Sequence, residues 1–249
     1  MRYFLHLAYN GAQYCGWQRQ PNAIGVQQIL EEALSTILRV PTAIIGAGRT
    51  DAGVHAACMY AHFDSPFAIS DPDSFIRSLN HLCGRDISVY KLIHVADDSH
   101  ARFDAVSRTY KYFVTETKSP FLYPYSWYTS RPLDYDMMNV AARHLLEITD
   151  FTSFAKLHSD AKTNICDVRE AYWENNGRGQ WVFTITADRF LRNMVRAVVG
   201  TLVEVGRGKM NIDRLIEVVK AKDRCAAGTS MPGHALFLWD IVYPYIEKD

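Results

Sequence analysis

No stretch of this 249-residue chain is apolar for long enough to span a bilayer. The opening run "MRYFLHLAYN" lacks the apolar core and small-residue cleavage site of a secretory leader, and alternates like a strand. Neither GxxxxGK[ST] nor HExxH occurs, and "GAGRTD" falls one glycine short of a dinucleotide fingerprint. Phosphate-loop, zinc-protease and Rossmann chemistry are therefore not indicated. The five cysteines are odd in number and contain no CxxC pair, so reduced thiols and a cytoplasmic protein are expected rather than a disulfide framework. An excess of one charge is missing too, since 27 basic residues balance 27 acidic ones. Coating by nucleic acid over the whole surface is disfavoured by that balance, which leaves room for a local basic cleft. The nine histidines show no recurrent metal spacing, and His55 and His62 read as structural or surface residues.

What is present is an ordinary globular balance, 48% apolar and 22% charged, in a chain long enough for one large domain or two modest ones. "RYFLHLAY" alternates as a strand with Tyr3, Leu5, Leu7 and Tyr9 on one face, and "NGAQYCGWQRQPNAIG" is rich in turn residues. "VQQILEEALSTIL" has helical spacing, "TAII" and "AACMYAHFD" read as strands, and Asp71-Pro72 opens a helix over "PDSFIRSLNHL". "ISVYKLIHV" and "SRTYKYFVTE" are strands. Residues 117–135, rich in proline and aromatics, read as a connection or a surface loop. Beyond it come helix "DMMNVAARHLLEI", strands "DVREAYWE" and "QWVFTITA", helices "RFLRNMVRAVVGTLVEV" and "IDRLIEVVKA", and strand "LFLWDIVYPY". The expectation is an α+β fold of two halves, 1–106 and 107–249, with a cleft between them.

Three stretches carry chemistry. "GAGRTDAGVHA" sets Arg49 and Asp51 on a loop of small residues, where glycine permits close approach and makes positive φ cheap at Gly46, Gly48 or Gly53. Taken alone, the same loop is also ordinary turn chemistry. "RFLRNMVRAVVG" places Phe190, Met194, Val198 and Leu202 on one helical stripe and Arg189, Arg192 and Arg196 on its neighbour, which suits either a solvated face or contact with phosphates or a carboxylate. "SRTYKYFV" points Arg108, Tyr110 and Tyr112 to one strand face, as a platform for unstacked bases or as packed tyrosines. "SDAK", with Ser159 and Lys162, matches SxxK without its partner motifs.

Together, "YNGAQYCGWQRQPNAIGVQQILEEAL", "GAGRTDAGVHA", "ARFDAVSRTYKY", "DFTSF" and "FLRNMVRAVVG" resemble the tRNA pseudouridine synthase A family, in order and across nearly the whole chain. The resemblance implies that Asp51 is the catalytic aspartate, a nucleophile. It implies that Arg49 positions RNA around a flipped base, that Tyr110 stacks on the uracil or handles a proton, and that Arg196 pairs with the aspartate. It further implies two α/β halves whose mostly antiparallel sheets join around a central active-site cleft, a homodimer, and uridines of the tRNA anticodon stem-loop, positions 38 to 40, as substrate. The chain departs from the family pattern at Glu147 and Thr149, at Cys83-Gly84-Arg85, and at Ala235. Isomerisation at a glycosidic bond needs no redox or energy-carrying group, so no cofactor and no metal are expected. Two rivals remain: a non-catalytic protein that binds structured RNA, with Asp51 a mere turn residue, and a serine hydrolase using Ser159 and Lys162.

Overall fold

The structure, a computed structural model, describes residues 1–156 and 162–247. Among them, nine strands and five α-helices make an α+β fold. In chain order these are β1 (Arg2–Tyr9), α1 (Val26–Leu38), β2 (Ile45–Gly46), β3 (His55–Asp64), α2 (Pro72–Leu82), β4 (Ile87–Val95), β5 (Ser107–Thr115) and β6 (Trp127–Tyr128). They are followed by α3 (Tyr135–His144), β7 (Val168–Asn175), β8 (Trp181–Ala187), α4 (Met194–Gly206), α5 (Ile212–Ala221) and β9 (Leu236–Val242). None of the described helices is long and apolar enough to cross a membrane. The chain divides into two compact units, Met1–Val106 with Leu238–Asp249, and Ser107–Phe237.

In the first unit β1 lies between β4 and β3, antiparallel to both, so that Leu5 faces Leu92 on one side and Ala61 on the other. β3 also pairs with β2, and β9 lies beside it. Phe4, Leu5, Leu7, Met59 and Ala61 are wholly buried here, as a sheet covered on both faces requires. α1 buries Val26, Leu30, Ala33, Leu34 and Leu38, one apolar stripe at helical spacing. α2 starts where the Asp71 side chain accepts the Ser74 N–H at 2.9 Å, with Pro72 in the first turn.

In the second unit β8 lies between β5 and β7, antiparallel to both. The connection over residues 117–135 carries two short elements that the sequence did not signal: a 3-10 turn at Tyr123–Tyr125, and Trp127–Tyr128, which pairs in parallel with Val114–Thr115. α3 begins at Tyr135, whose ring stacks on Trp181 at 3.9 Å, and Asp134 caps it through the Met137 N–H. Every residue of α4 except Arg196 and Glu204 is buried, which makes it the central helix of this unit's core.

α4 also corrects an expectation. It begins at Met194, not Arg189, because Asn193 is left-handed (φ 66°) and the Arg192 carbonyl accepts the Lys156 N–H, so the helical ladder cannot extend back past Asn193. Met194, Val198 and Leu202 do form a buried stripe, but Arg189 and Arg192 stand outside the helix and share no face with Arg196.

Candidate active site

The loop from Ala47 to Val54 links β2 to β3 and carries Arg49 and Asp51. It is built for close approach, but not by its own glycines alone. Gly46 is needed because the Trp17 ring stands 2.6 to 2.9 Å from where a Cβ would sit. Positive φ occurs at Gly53 (74°) and at neither Gly46 nor Gly48. Gly48 faces open space. Arg49 is exposed, Thr50 buried and Asp51 half-buried, and the Val54 N–H donates to the Asp51 carbonyl at 3.1 Å to close the turn.

A segment after β1 holds this loop from beneath. The Trp17 N–H donates to the Thr50 carbonyl at 3.2 Å, and the Gly53 N–H donates to the Tyr14 carbonyl at 3.2 Å. The Tyr9 and Thr50 hydroxyls share a buried hydrogen bond of 2.8 Å. His55, buried at the start of β3, accepts the Gly11 N–H on Nδ1 at 3.0 Å, a structural role like that of His62, whose Nδ1 accepts the Ala101 N–H. At Gly16 (φ 86°) a Cβ would fall 2.3 Å from the Thr50 carbonyl oxygen. Sequence patterning missed Tyr9, Gly16 and Trp17. The signal was there in the glycines of "NGAQYCGW", which read as turn residues alone.

Tyr110 and Arg196 belong to the second unit. On β5, Tyr110 opposes Ile185 of β8, and its half-buried ring meets Phe190 edge-on at 5.0 Å. Arg108 donates to the Asp188 carbonyl at 2.8 Å. Tyr112 is wholly buried and so cannot offer a ring to a base; of the expected tyrosine pair only Tyr110 is accessible. Burial pushes the Tyr112 hydroxyl well above the usual tyrosine range, and the nearby positive charge of Arg196 acts against that shift. That hydroxyl has no hydrogen-bond partner among the described residues. Arg196, in the first turn of α4, donates through Nε to the Met231 carbonyl at 2.5 Å. Helix α4 thus brings the charge of Arg196 within reach of Tyr112 on β5. Among the described residues no group of three or more His, Cys, Asp or Glu is arranged to hold a metal ion. Ser159 lies outside the described residues, while Lys162 is exposed.

A family model described as tRNA pseudouridine synthase matches residues 141–244. The tRNA pseudouridine synthase A of Parabacteroides distasonis is 56% identical over 243 residues, covering 98% of this chain and 96% of that protein. The protein of the same name from Bacteroides fragilis is 55% identical over 243 residues, with 98% and 96% covered. The one from Bacillus subtilis is 39% identical over 250 residues, with 98% and 99% covered. The chain belongs to the tRNA pseudouridine synthase A family.

The positions expected to depart from the family pattern lie outside the loop from Ala47 to Val54. Glu147 closes a 3-10 turn after α3, 3.7 Å from His144, and the Thr149 carbonyl accepts the Cys166 N–H. Cys83-Gly84-Arg85 ends α2, where Gly84 is left-handed (φ 76°) and burial pushes the Cys83 thiol up to about 11. Ala235 is wholly buried before Leu236 and Leu238, so this stretch stays apolar despite the change.

Proposed function

We propose that this chain isomerises uridine to pseudouridine in the anticodon stem-loop of tRNA, at positions 38 to 40, with Asp51 as the nucleophile. The observation that carries the reading is the near-full-length identity to enzymes named tRNA pseudouridine synthase A. The reaction breaks the bond between ribose C1′ and uracil N1, turns the ring, and forms a bond from C1′ to C5. The C5 hydrogen leaves to solvent, and N1 gains a proton. A carboxylate on a loop of small residues suits an attack on C1′ or on the uracil ring. Base removal of a ribose proton is the remaining role open to the same group.

A paired uridine must first leave its stem, at a cost of about a few kcal/mol. Arg49, exposed two residues from Asp51, suits holding the RNA around the extruded nucleotide. Tyr110 offers a ring for the uracil and a hydroxyl for a proton. Arg196 is assigned to the Asp51 carboxylate, which a guanidinium stabilises in the ionised form. The family's central cleft, where its two mostly antiparallel sheets join, is where this reading seats the nucleotide. Family resemblance also supports a homodimer, and five free cysteines suit a reducing cytoplasm.

Tritium release from tRNA labelled at uracil C5 tests the proposal, because isomerisation expels that hydrogen. Binding without release would instead favour the non-catalytic RNA-binding reading.

A further inference from the structure

Asp51 lies between residues that one segment holds in place. On its N-terminal side, Thr50 is fixed twice: its carbonyl accepts the Trp17 N–H at 3.2 Å, and its hydroxyl meets the Tyr9 hydroxyl at 2.8 Å. On its C-terminal side, the Gly53 N–H donates to the Tyr14 carbonyl, and the turn closes from the Val54 N–H to the Asp51 carbonyl. Because each peptide unit is planar, fixing residue 50 and the turn at 51–54 leaves Asp51 little backbone freedom. Gly16 lets the segment come this close, since any Cβ there would strike the Thr50 carbonyl.

Tyr9 is placed for this by the sheet. The register between β1 and β3 shifts between the Leu7–Met59 and Tyr9–Ala56 pairs, so the end of β1 is offset where the loop re-enters β3. The Tyr9 ring is buried and tilted against Trp17, with centroids 6.1 Å apart. A phenylalanine would fill that volume equally well. The hydroxyl adds a hydrogen bond to the residue that precedes the carboxylate.

We infer that the Tyr9 hydroxyl is a positioning group for the isomerisation, fixing the direction of the Asp51 carboxylate through Thr50. The inference rests on the assignment of Asp51 as the nucleophile. It predicts a defect in chemistry and not in RNA binding, because neither Tyr9 nor Thr50 is a surface residue.

The experiment compares Tyr9→Phe, Thr50→Val, the double variant, Thr50→Ser and Asp51→Asn by single-turnover C5 tritium release, with tRNA affinity and melting temperature measured alongside. Tyr9→Phe and Thr50→Val should each slow release by about tenfold to a hundredfold at saturating tRNA, as expected for a small misplacement of a reacting group. Affinity should change less than about twofold. The double variant should be no slower than either single one, because the two hydroxyls act through one bond. Thr50→Ser, which keeps the hydroxyl, should stay close to wild type. Wild-type rates in both single variants, additive losses, or a loss confined to tRNA affinity would each overturn the inference. If Asp51→Asn itself turns over normally, the assignment of the nucleophile has failed. If Asp51→Asn is inactive while Tyr9→Phe is normal, only the positioning role has.

Discussion

Arg196 and Met231 clasp each other twice: the Arg196 Nε donates to the Met231 carbonyl, and the Met231 N–H donates to the Arg196 carbonyl at 3.1 Å. The bonds tie the first turn of α4 to the strip Gly228–Met231. That strip packs so closely on the helix that a Cβ at Gly200 would fall 1.9 Å from the Thr229 carbonyl oxygen. The clasp uses one edge of the guanidinium and fixes the direction of the rest. Lysine keeps the charge but has no fork with which to grip a carbonyl and present further donors. Arg196→Lys should therefore slow single-turnover release roughly tenfold or more and lower stability by about 1 to 2 kcal/mol. Wild-type release from this variant would remove Arg196 from the chemistry.

Tyr110 meets Phe190 edge-on, so its ring has a packing role that a phenylalanine retains. Tyr110→Phe should keep fold and tRNA affinity while slowing release about a hundredfold, the usual scale for a lost proton-transfer group. Tyr110→Ala should weaken binding as well. A Phe variant with wild-type turnover would leave the ring with a stacking role alone.

Both residues show what local pattern can and cannot reveal. The bounds of α1, β4 and α5 follow directly from hydrophobic period, and the Asp71-Pro72 start of α2 follows from capping chemistry. Period misled at Arg189–Asn193, because it reports side-chain type and is blind to the left-handed backbone at Asn193. The Asp51 loop was legible as a motif. Its support was not, because Tyr9 and Thr50 are 41 residues apart and meet only after β1 and β3 have paired. Tyr112 was legible as a tyrosine on the right face of β5, but not as a buried one, because alternation gives a face and not its depth.

Acid should destabilise the first unit through His62. Its Nδ1 accepts the Ala101 N–H at 3.1 Å, and its ring lies 4.6 Å from that of His100, with Arg2, Asp64 and Asp104 also facing it. Burial, then the charges of His100 and Arg2, lower its pKa from 6.5 to about 4. The folded state thus prefers the neutral ring, and protonation would remove the acceptor at Nδ1. Above pH 6.5 both folded and unfolded chains carry neutral His62. As pH falls from 6.5 to about 4 the unfolded chain binds the proton first, so stability drops, by up to about 3 kcal/mol. His100, also lowered, adds in the same direction. Asp64 and Asp104, held below the usual carboxylate range, lose their contributions only at lower pH still. Urea midpoints from pH 7 to 4 should show this slope, and His62→Gln should flatten part of it. Superimposable profiles for the two proteins would refute the assignment to His62.

Asp51 should be the one side chain the chemistry cannot lose. Its loop is held by the Trp17 and Gly53 backbone bonds and by the Tyr9–Thr50 pair, and these bonds remain available when asparagine replaces aspartate. Asparagine is nearly isosteric with aspartate, but it is neither a competent nucleophile nor a base. Asp51→Asn should therefore melt within about 1 kcal/mol of wild type. It should bind tRNA about as tightly, because Arg49 and Tyr110 are unchanged. Single-turnover tritium release should fall by at least about a thousandfold, the scale seen when a reacting group is removed. Loss of binding with loss of release would instead make Asp51 part of the RNA contact. Release near the wild-type rate would mean that this loop is not where the glycosidic bond is broken.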